Sequence, residues 1–323
     1  MKHNVLLIEP TIQPVGVDLI KEHCELFMAP DGGEETLIRL INEHNIEGVG
    51  TRVEQITEKI FSSCPSLKVV AQHGVGLDNI DVSAATSHGV KVLNVPDANY
   101  VSVAEHAIMF ILALSRDLNT ADRAVRAGNW KFRETNIPNE IAGKTLLIVA
   151  LGRIGRDVAK KAQGLDMNVI AYDAYVSKEQ MSEAGVEKVE SLEDGLARAD
   201  FVSIHAPLTD ETRGMISTKQ FQQMKNGACL INLGRGPLVD GKALTEALKN
   251  GEIAAAALDV FEQEPPDVTQ ELFRLPNFIC TPHFGGDTIE AKRRCSKKLA
   301  ESMIEALDGG TPYNWFNRKA MGQ

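Results

Sequence analysis

Short apolar runs alternate with helix-like stretches along almost the whole chain. Val5–Ile8, Glu25–Met28, Ile46–Gly50, Leu67–Ala71 and Val90–Leu93 form one set of strand-length runs. Thr145–Ala150, Asn168–Tyr172, Phe201–His205, Cys229–Asn232, Ala254–Leu258 and Phe278–Cys280 form a second. Continuous apolar runs suit strands that are buried on both faces. Between them Glu35–Asn42, Arg153–Gln163 and Lys242–Lys249 carry helical spacing. This alternation predicts an α/β protein, with parallel sheets, right-handed crossovers and helices on both faces.

Two further helices fall where the strand sets meet. Ser102 and Glu105 give a capping-box pattern ahead of the apolar run at 107–114, which is too apolar for a solvent-facing helix and is expected to be buried between domains or subunits. Asp287 and Glu290 give a second capping pattern. Ala291, Cys295, Leu299 and Met303 then recur every four residues, and Gly309-Gly310 with Pro312 closes that helix. The simplest arrangement is two doubly wound parallel-sheet domains, with 100–285 inserted into a domain made of 1–99 and 286–323. The C-terminal helix then returns to the first domain, and two crossings suit a hinge over a cleft.

Composition narrows the classes. A chain of 323 residues suits two domains, and 43% hydrophobic with 24% charged residues is ordinary for a globular protein. The net charge of −10 and a pI near 5.4 disfavour nucleic acid as a partner. The longest apolar run, 107–114, falls far short of the ~20 residues of a membrane span, and the N-terminus reads as a first strand before Glu9-Pro10 instead of a signal peptide. Five scattered cysteines without CxxC spacing read as reduced, buried thiols of a cytoplasmic protein, Cys229 and Cys280 lying in strand-like runs. No histidine pair has ligand spacing, so no metal is expected.

One turn has the marks of a dinucleotide seat. Ala150-Leu151-Gly152-Arg153-Ile154-Gly155 has a strand before it, a helix after it, and Asp173 18 residues beyond Gly155 at the end of the next strand. Gly152 lets the backbone approach a pyrophosphate, Gly155 lets helix and strand pack closely, and the first helical N–H groups, Arg153 and Ile154 among them, point at the anion. Asp173 is expected to accept from ribose hydroxyls, and with no Arg beside it NAD is favoured over NADP. Ala150 departs from the usual glycine. If the turn needs a positive φ there, its Cβ costs roughly 1 kcal/mol. Gly143-Lys144-Thr145 imitates the end of a P-loop, but Pro138 stands where that motif needs glycine.

Arg235, Glu264 and His283 each sit in a Gly- or Pro-marked segment. A guanidinium, a carboxylate and an imidazole can clamp a 2-keto acid and move a proton. Taken singly, each has a bland alternative: Arg235 as a turn-stabilising charge, Glu264 as an acidic residue before Pro265-Pro266. The segments around them change the balance. Val69–Asp81 with its His73-Gly74-Val75-Gly76 core, Ile231–Gly236, Ala257–Phe261 and Thr281–Gly286 together resemble the D-isomer-specific 2-hydroxyacid dehydrogenases. The resemblance runs from about 45 to 310 and is nearest the phosphoglycerate and hydroxypyruvate branch.

That resemblance implies a Rossmann NAD domain inserted into a flavodoxin-like substrate domain, and NAD-dependent hydride transfer at C2 of a small D-2-hydroxy or 2-keto acid. It assigns His283 as general acid/base, Glu264 as the carboxylate that holds and charges it, and Arg235 as the grip on the substrate carboxylate. It places His205, Ala206, Pro207, Thr212, Leu233, Gly234, Gly285 and Gly286 along the cofactor, with Asp259 at the nicotinamide end. Gly74 and Gly76, with Val75 between them, are expected to present backbone N–H groups to substrate, with Arg52 and His73 as further contacts and sources of positive charge. Gln72, an amide where such relatives often carry a basic residue, and the lack of an added C-terminal regulatory domain favour hydroxypyruvate or glyoxylate over 3-phosphoglycerate. A homodimer is expected. Two rivals are a formate-type dehydrogenase, which pairs its histidine with Gln, and a non-catalytic NAD-sensing protein on the same fold.

Overall fold

The computed structural model describes residues 2–8 and 12–323; Glu9-Pro10, which closes the expected first strand, lies outside them. The chain divides into two compact units, Met1–Asn99 with Asp287–Gln323, and Tyr100–Gly286.

The first unit is a five-stranded parallel sheet: β1 (Asn4–Ile8), β2 (Glu25–Ala29), β3 (Gly48–Thr51), β4 (Val69–Gln72) and β5 (Lys91–Leu93), in the order β2-β1-β3-β4-β5. That is the flavodoxin-like order. Alternate residues of β1 feed opposite cores. Leu6 and Ile8 pack with Leu37, Ile41, Ile60 and Phe61. Val5 and Leu7 pack with Ile20, Cys295, Leu299 and Met303. Each such fully buried side chain contributes roughly 1.5–3 kcal/mol. The Ile289–Leu307 helix lies against the Pro14–His23 helix. A β-carbon on Gly16 would lie 2.5 Å from the Ser296 carbonyl oxygen, so only glycine permits that approach.

The second unit is a seven-stranded parallel sheet: β6 (Thr145–Val149), β7 (Asn168–Tyr172), β8 (Glu187–Lys188), β9 (Phe201–Ile204), β10 (Cys229–Asn232), β11 (Ala255–Leu258) and β12 (Phe278–Cys280), in the order β12-β11-β10-β9-β6-β7-β8. The order reverses between β6 and β9, as in a dinucleotide-binding sheet. One face is covered by the Tyr100–Ser115 and Arg153–Gln163 helices, which pack on each other. The other carries Leu196, Phe221, Leu238 and Leu244. Among the described residues no helix is long and apolar enough to cross a membrane.

Several expectations change. The first long helix starts at Tyr100, so Ser102 is a buried interior residue and not a cap. The second starts at Ile289, where Thr288 accepts from the Ala291 N–H at 3.1 Å and displaces Asp287 as the cap. The 107–114 segment buries Ala107, Phe110 and Ile111 within its own unit, while Met109 and Leu112 are 44% and 40% exposed. Cys280 is exposed, against the expectation of five buried thiols, because β12 is the edge strand; the other four cysteines are buried. The two-residue β8 has too little apolar content to be read from sequence.

Candidate active site

Parallel pairing brings the chemistry-bearing segments of the second unit to one edge of its sheet. The carboxyl ends of β7, β6, β9, β10, β11 and β12 lead in that spatial order to Asp173, the Ala150–Gly155 turn, His205–Pro207, Leu233–Arg235, Asp259–Glu264 and Thr281–Gly286. At about 4.8 Å per strand spacing, this edge is long enough to lay out an extended dinucleotide.

The turn after β6 explains both the glycines and the alanine. Ala150 has φ +74°, so the turn does require the left-handed region and Ala150 bears the strain. A β-carbon on Gly155 would lie 2.4 Å from the Ala150 carbonyl oxygen, so that position admits only glycine. A β-carbon on Gly152 would meet no protein atom within 4 Å, and Gly152 gives the Arg153–Gln163 helix no side-chain cap. The open space and uncapped N–H groups of Arg153, Ile154 and Gly155 fit a pyrophosphate. Asp173 ties this turn to β7: Oδ2 accepts from Leu151 N–H, and Oδ1 from Tyr175 and Val176 N–H, at 2.8, 2.8 and 3.1 Å. A carboxylate has about four acceptor positions, so one remains for a ribose hydroxyl.

The segment after β9 is held by its own side chains. Thr212 Oγ1 donates to the Pro207 carbonyl at 2.7 Å and accepts from Thr209 N–H at 2.8 Å. Ala206 and Leu233 are buried. The His205 ring bonds Ser203 Oγ at 2.9 Å, and burial pushes its pKa down to about 4. It is a neutral structural ring.

Arg235, Glu264 and His283 all belong to this unit and feel one another's charge. His283 Nδ1 and Glu264 Oε2 are 2.7 Å apart, with His283 half-exposed. The hydrogen bond that His283 donates to Glu264 raises the His283 pKa; burial opposes it, the Glu264 and Asp259 charges add to it, and Arg235 subtracts. Burial alone would raise the Glu264 pKa. The hydrogen bonds from His283 and the Phe261 N–H, with the charges of His283 and Arg235, outweigh it and hold Glu264 below its ordinary value. Nε2 of His283 thereby becomes the nitrogen that can exchange a proton.

Supporting groups fix the segments of Arg235 and His283; Asn232 was not expected among them, and Asp259 was expected at the nicotinamide end of the cofactor. Asn232 is fully buried; its amide donates to the Arg235 carbonyl at 2.9 Å and its oxygen accepts from Gly234 N–H at 3.0 Å. Its only sequence signal is a polar residue ending an apolar run. His283 has φ +51°, a strained conformation held from below by Asp259. Asp259 is 3% exposed and accepts from Thr281 Oγ1 at 2.5 Å, Phe284 N–H at 3.0 Å and Gly285 N–H at 2.9 Å. His106 adds a 3.1 Å bond to Thr281 Oγ1. Asp259 is thus committed to the turn that carries His283, Gly285 and Gly286.

In the first unit, Arg52 follows β3 and the Gly74-Val75-Gly76 loop follows β4. The Gly74 carbonyl accepts from Val95 N–H at 2.7 Å and the Val75 carbonyl from Asn94 Nδ2 at 2.8 Å, which orders the loop. The N–H groups of Gly74, Val75 and Gly76 meet no protein acceptor among the described residues. His73 corrects the expectation of a cationic contact. It is 6% exposed, bonds Ser296 Oγ at 2.8 Å, and burial pushes its pKa down to about 4, so it is uncharged at neutral pH.

The second unit is thus a doubly wound sheet that carries a dinucleotide-type turn after β6 and an arginine, a carboxylate and a histidine after β10, β11 and β12. Residues 108–285 match the NAD binding domain of the D-isomer specific 2-hydroxyacid dehydrogenases, and the chain belongs to that family. It is 39% identical over 307 residues to the D-3-phosphoglycerate dehydrogenase of Archaeoglobus fulgidus, covering 95% of this chain and 58% of that one. It is 40% identical over 314 residues to that of Methanocaldococcus jannaschii, covering 97% and 59%. The chain therefore spans about three fifths of the length of these relatives. Among solved structures it resembles D-mandelate dehydrogenase of Rhodotorula graminis, with TM-score 0.89, 29% identity and 97% of each chain covered. It also resembles D-lactate dehydrogenase of Escherichia coli, with TM-score 0.82 and 28% identity, covering 96% of this chain and 99% of that one.

Proposed function

We propose that this chain is an NAD-dependent dehydrogenase that interconverts a small D-2-hydroxy acid and its 2-keto acid, of the hydroxypyruvate, glyoxylate or 3-phosphoglycerate type. The observation that carries this is the 2.7 Å His283–Glu264 pair near Arg235, on the loops after β10, β11 and β12, along the same sheet edge as the Gly152 turn after β6. NAD, when bound, supplies or accepts the hydride. Arg235 grips the substrate carboxylate with its planar fork. Protonated His283 gives the proton at Nε2 to the carbonyl oxygen, and takes it back from the hydroxyl in the reverse direction. Glu264 fixes the ring through Nδ1 and favours its charged form.

The Gly152–Gly155 turn, Asp173, His205–Pro207, Thr212, Leu233-Gly234 and Gly285-Gly286 hold the cofactor in this reading. The first unit presents substrate through the N–H groups of Gly74, Val75 and Gly76. A homodimer is supported by the apolar surface of the second unit, where Met109, Leu112, Leu118, Val125, Trp130 and Ile137 are exposed. Five free thiols suit a reducing cytoplasm.

The test is a panel of 2-keto acids followed by NADH absorbance, with His283→Ala alongside. The wild type reduces at least one small 2-keto acid, and His283→Ala loses roughly 10²–10⁴-fold in kcat with NADH affinity nearly unchanged. Tight NADH binding with no turnover on any member would favour the NAD-sensing alternative.

A further inference from the structure

The reversal of strand order in the first unit falls between β1 and β3, and the carboxyl end of β3, with that of β4 beside it, borders the crevice where doubly wound sheets bind ligands. Thr51 and Gln72 are register partners, so Arg52 and the Gly74 loop leave neighbouring strands roughly 5 Å apart. Arg52 is the cation at this corner, and it is already engaged. Its Nη2 donates to Asp287 Oδ2. Lys292 Nζ reaches the same oxygen at 3.2 Å. All three side chains are roughly one-third exposed or less. Asp287 directly precedes the Thr288 cap, so the start of the C-terminal helix fixes its place.

Both cations bind one carboxylate oxygen, and Asp287 Oδ1 takes no hydrogen bond among the described residues. The Glu54 carboxylate beside them is held by the Thr51 hydroxyl and by the N–H groups of Arg52 and Val53. His73 is buried and neutral, its ring held by Ser296. The Gln72 amide is uncharged and engaged at both atoms: Nε2 donates to the Arg52 carbonyl at 2.7 Å, and Oε1 accepts from Asn79 Nδ2 at 3.3 Å.

Resting on the dehydrogenase reading above, we infer that Asp287 is a specificity-determining residue: by occupying Arg52 it makes this corner a hydroxyl acceptor instead of a phosphate clamp, so that 2-keto acids with an uncharged polar C3 group are selected over their phosphomonoesters. A phosphate dianion has to displace the Asp287 carboxylate or sit beside Oδ1 and meet like-charge repulsion. A C3 hydroxyl donates to Oδ1 without disturbing either cation.

The experiment compares wild type, Asp287→Asn and the double variant Arg52→Gln/Asp287→Asn. Reduction of hydroxypyruvate and 3-phosphohydroxypyruvate by NADH is measured, and 3-phosphoglycerate and D-glycerate are titrated calorimetrically into NAD-saturated protein. The wild type favours hydroxypyruvate by about tenfold or more in kcat/KM. Asp287→Asn shifts that ratio toward the phosphomonoester by about tenfold, chiefly through KM, and tightens 3-phosphoglycerate binding; loss of Arg52 cancels both gains. A wild-type preference for the phosphomonoester, or a ratio unmoved in Asp287→Asn, overturns the inference. If the wild type reduces neither acid and no other member of the 2-keto acid panel, the dehydrogenase reading fails on its own. Calorimetry then decides the role of Asp287, which is refuted if Asp287→Asn binds 3-phosphoglycerate no tighter than wild type.

Discussion

The backbones of Gly236 and Phe261 are in direct contact: a β-carbon on Gly236 would lie 1.8 Å from the Phe261 carbonyl carbon. Gly236 follows Arg235, and Phe261 N–H donates to Glu264 Oε1 at 3.0 Å. This contact therefore locks the loop that carries the guanidinium against the loop that carries the carboxylate. Gly236→Ala forces the two apart, since no flexible side chain is there to yield. The expected outcome is a loss of kcat/KM of about 10²-fold or more, with NADH affinity, read by fluorescence titration, much less affected because the Gly152 turn is elsewhere on the sheet edge.

The His283–Glu264 bond sets the pH dependence. His283 has its pKa raised above the ordinary 6.5, so the proton donor for reduction is present at low pH and is lost as pH rises through that raised value. The rate of keto-acid reduction falls on the alkaline side accordingly. Glu264→Gln removes the charge that favours imidazolium and moves that limb to lower pH. A pH profile of kcat/KM for both proteins checks this, and an alkaline limb at the same pH in both would remove Glu264 from the role.

Ala150 holds a left-handed conformation that its Cβ opposes. Ala150→Gly relieves roughly 1–2 kcal/mol of strain and returns part of it as unfolded-state entropy, for a net stabilisation of about 0.5–1 kcal/mol. Thermal or denaturant unfolding reads this out. Gly155→Ala, with its β-carbon 2.4 Å from the Ala150 oxygen, destabilises in the same assay.

His73 is buried as a neutral ring, with its pKa pushed down to about 4. A folded-state value below the unfolded 6.5 means that the unfolded chain takes up the proton first, so the stability is fully present above pH 6.5 and is lost as pH falls toward 4. That loss is up to about 3 kcal/mol. His73→Gln, which keeps a hydrogen-bonding side chain, flattens the unfolding free energy across this window relative to wild type.

Much of this protein was legible in its residues. Apolar runs such as Thr145–Val149 and Cys229–Asn232 determined where strands form, because a strand buried on both faces has few polar positions to spare. The glycines of the Gly152–Gly155 turn and the flanks of Arg235 and His283 marked the chemistry, because close backbone approach excludes a side chain. The caps were harder to place: Ser102 and Asp287 each have the right chemistry for a cap, and only the path of the chain put one inside a helix and gave the other to Arg52. The tertiary structure alone decided which polar groups are spent on scaffolding. Sequence could not price the burial of His73, the commitment of Asp259 to the turn beneath His283, or the engagement of Arg52 by a residue 235 positions away. Charge and hydrogen-bonding capacity depend on what surrounds a group, and those surroundings are set by strands and loops that are distant in the chain.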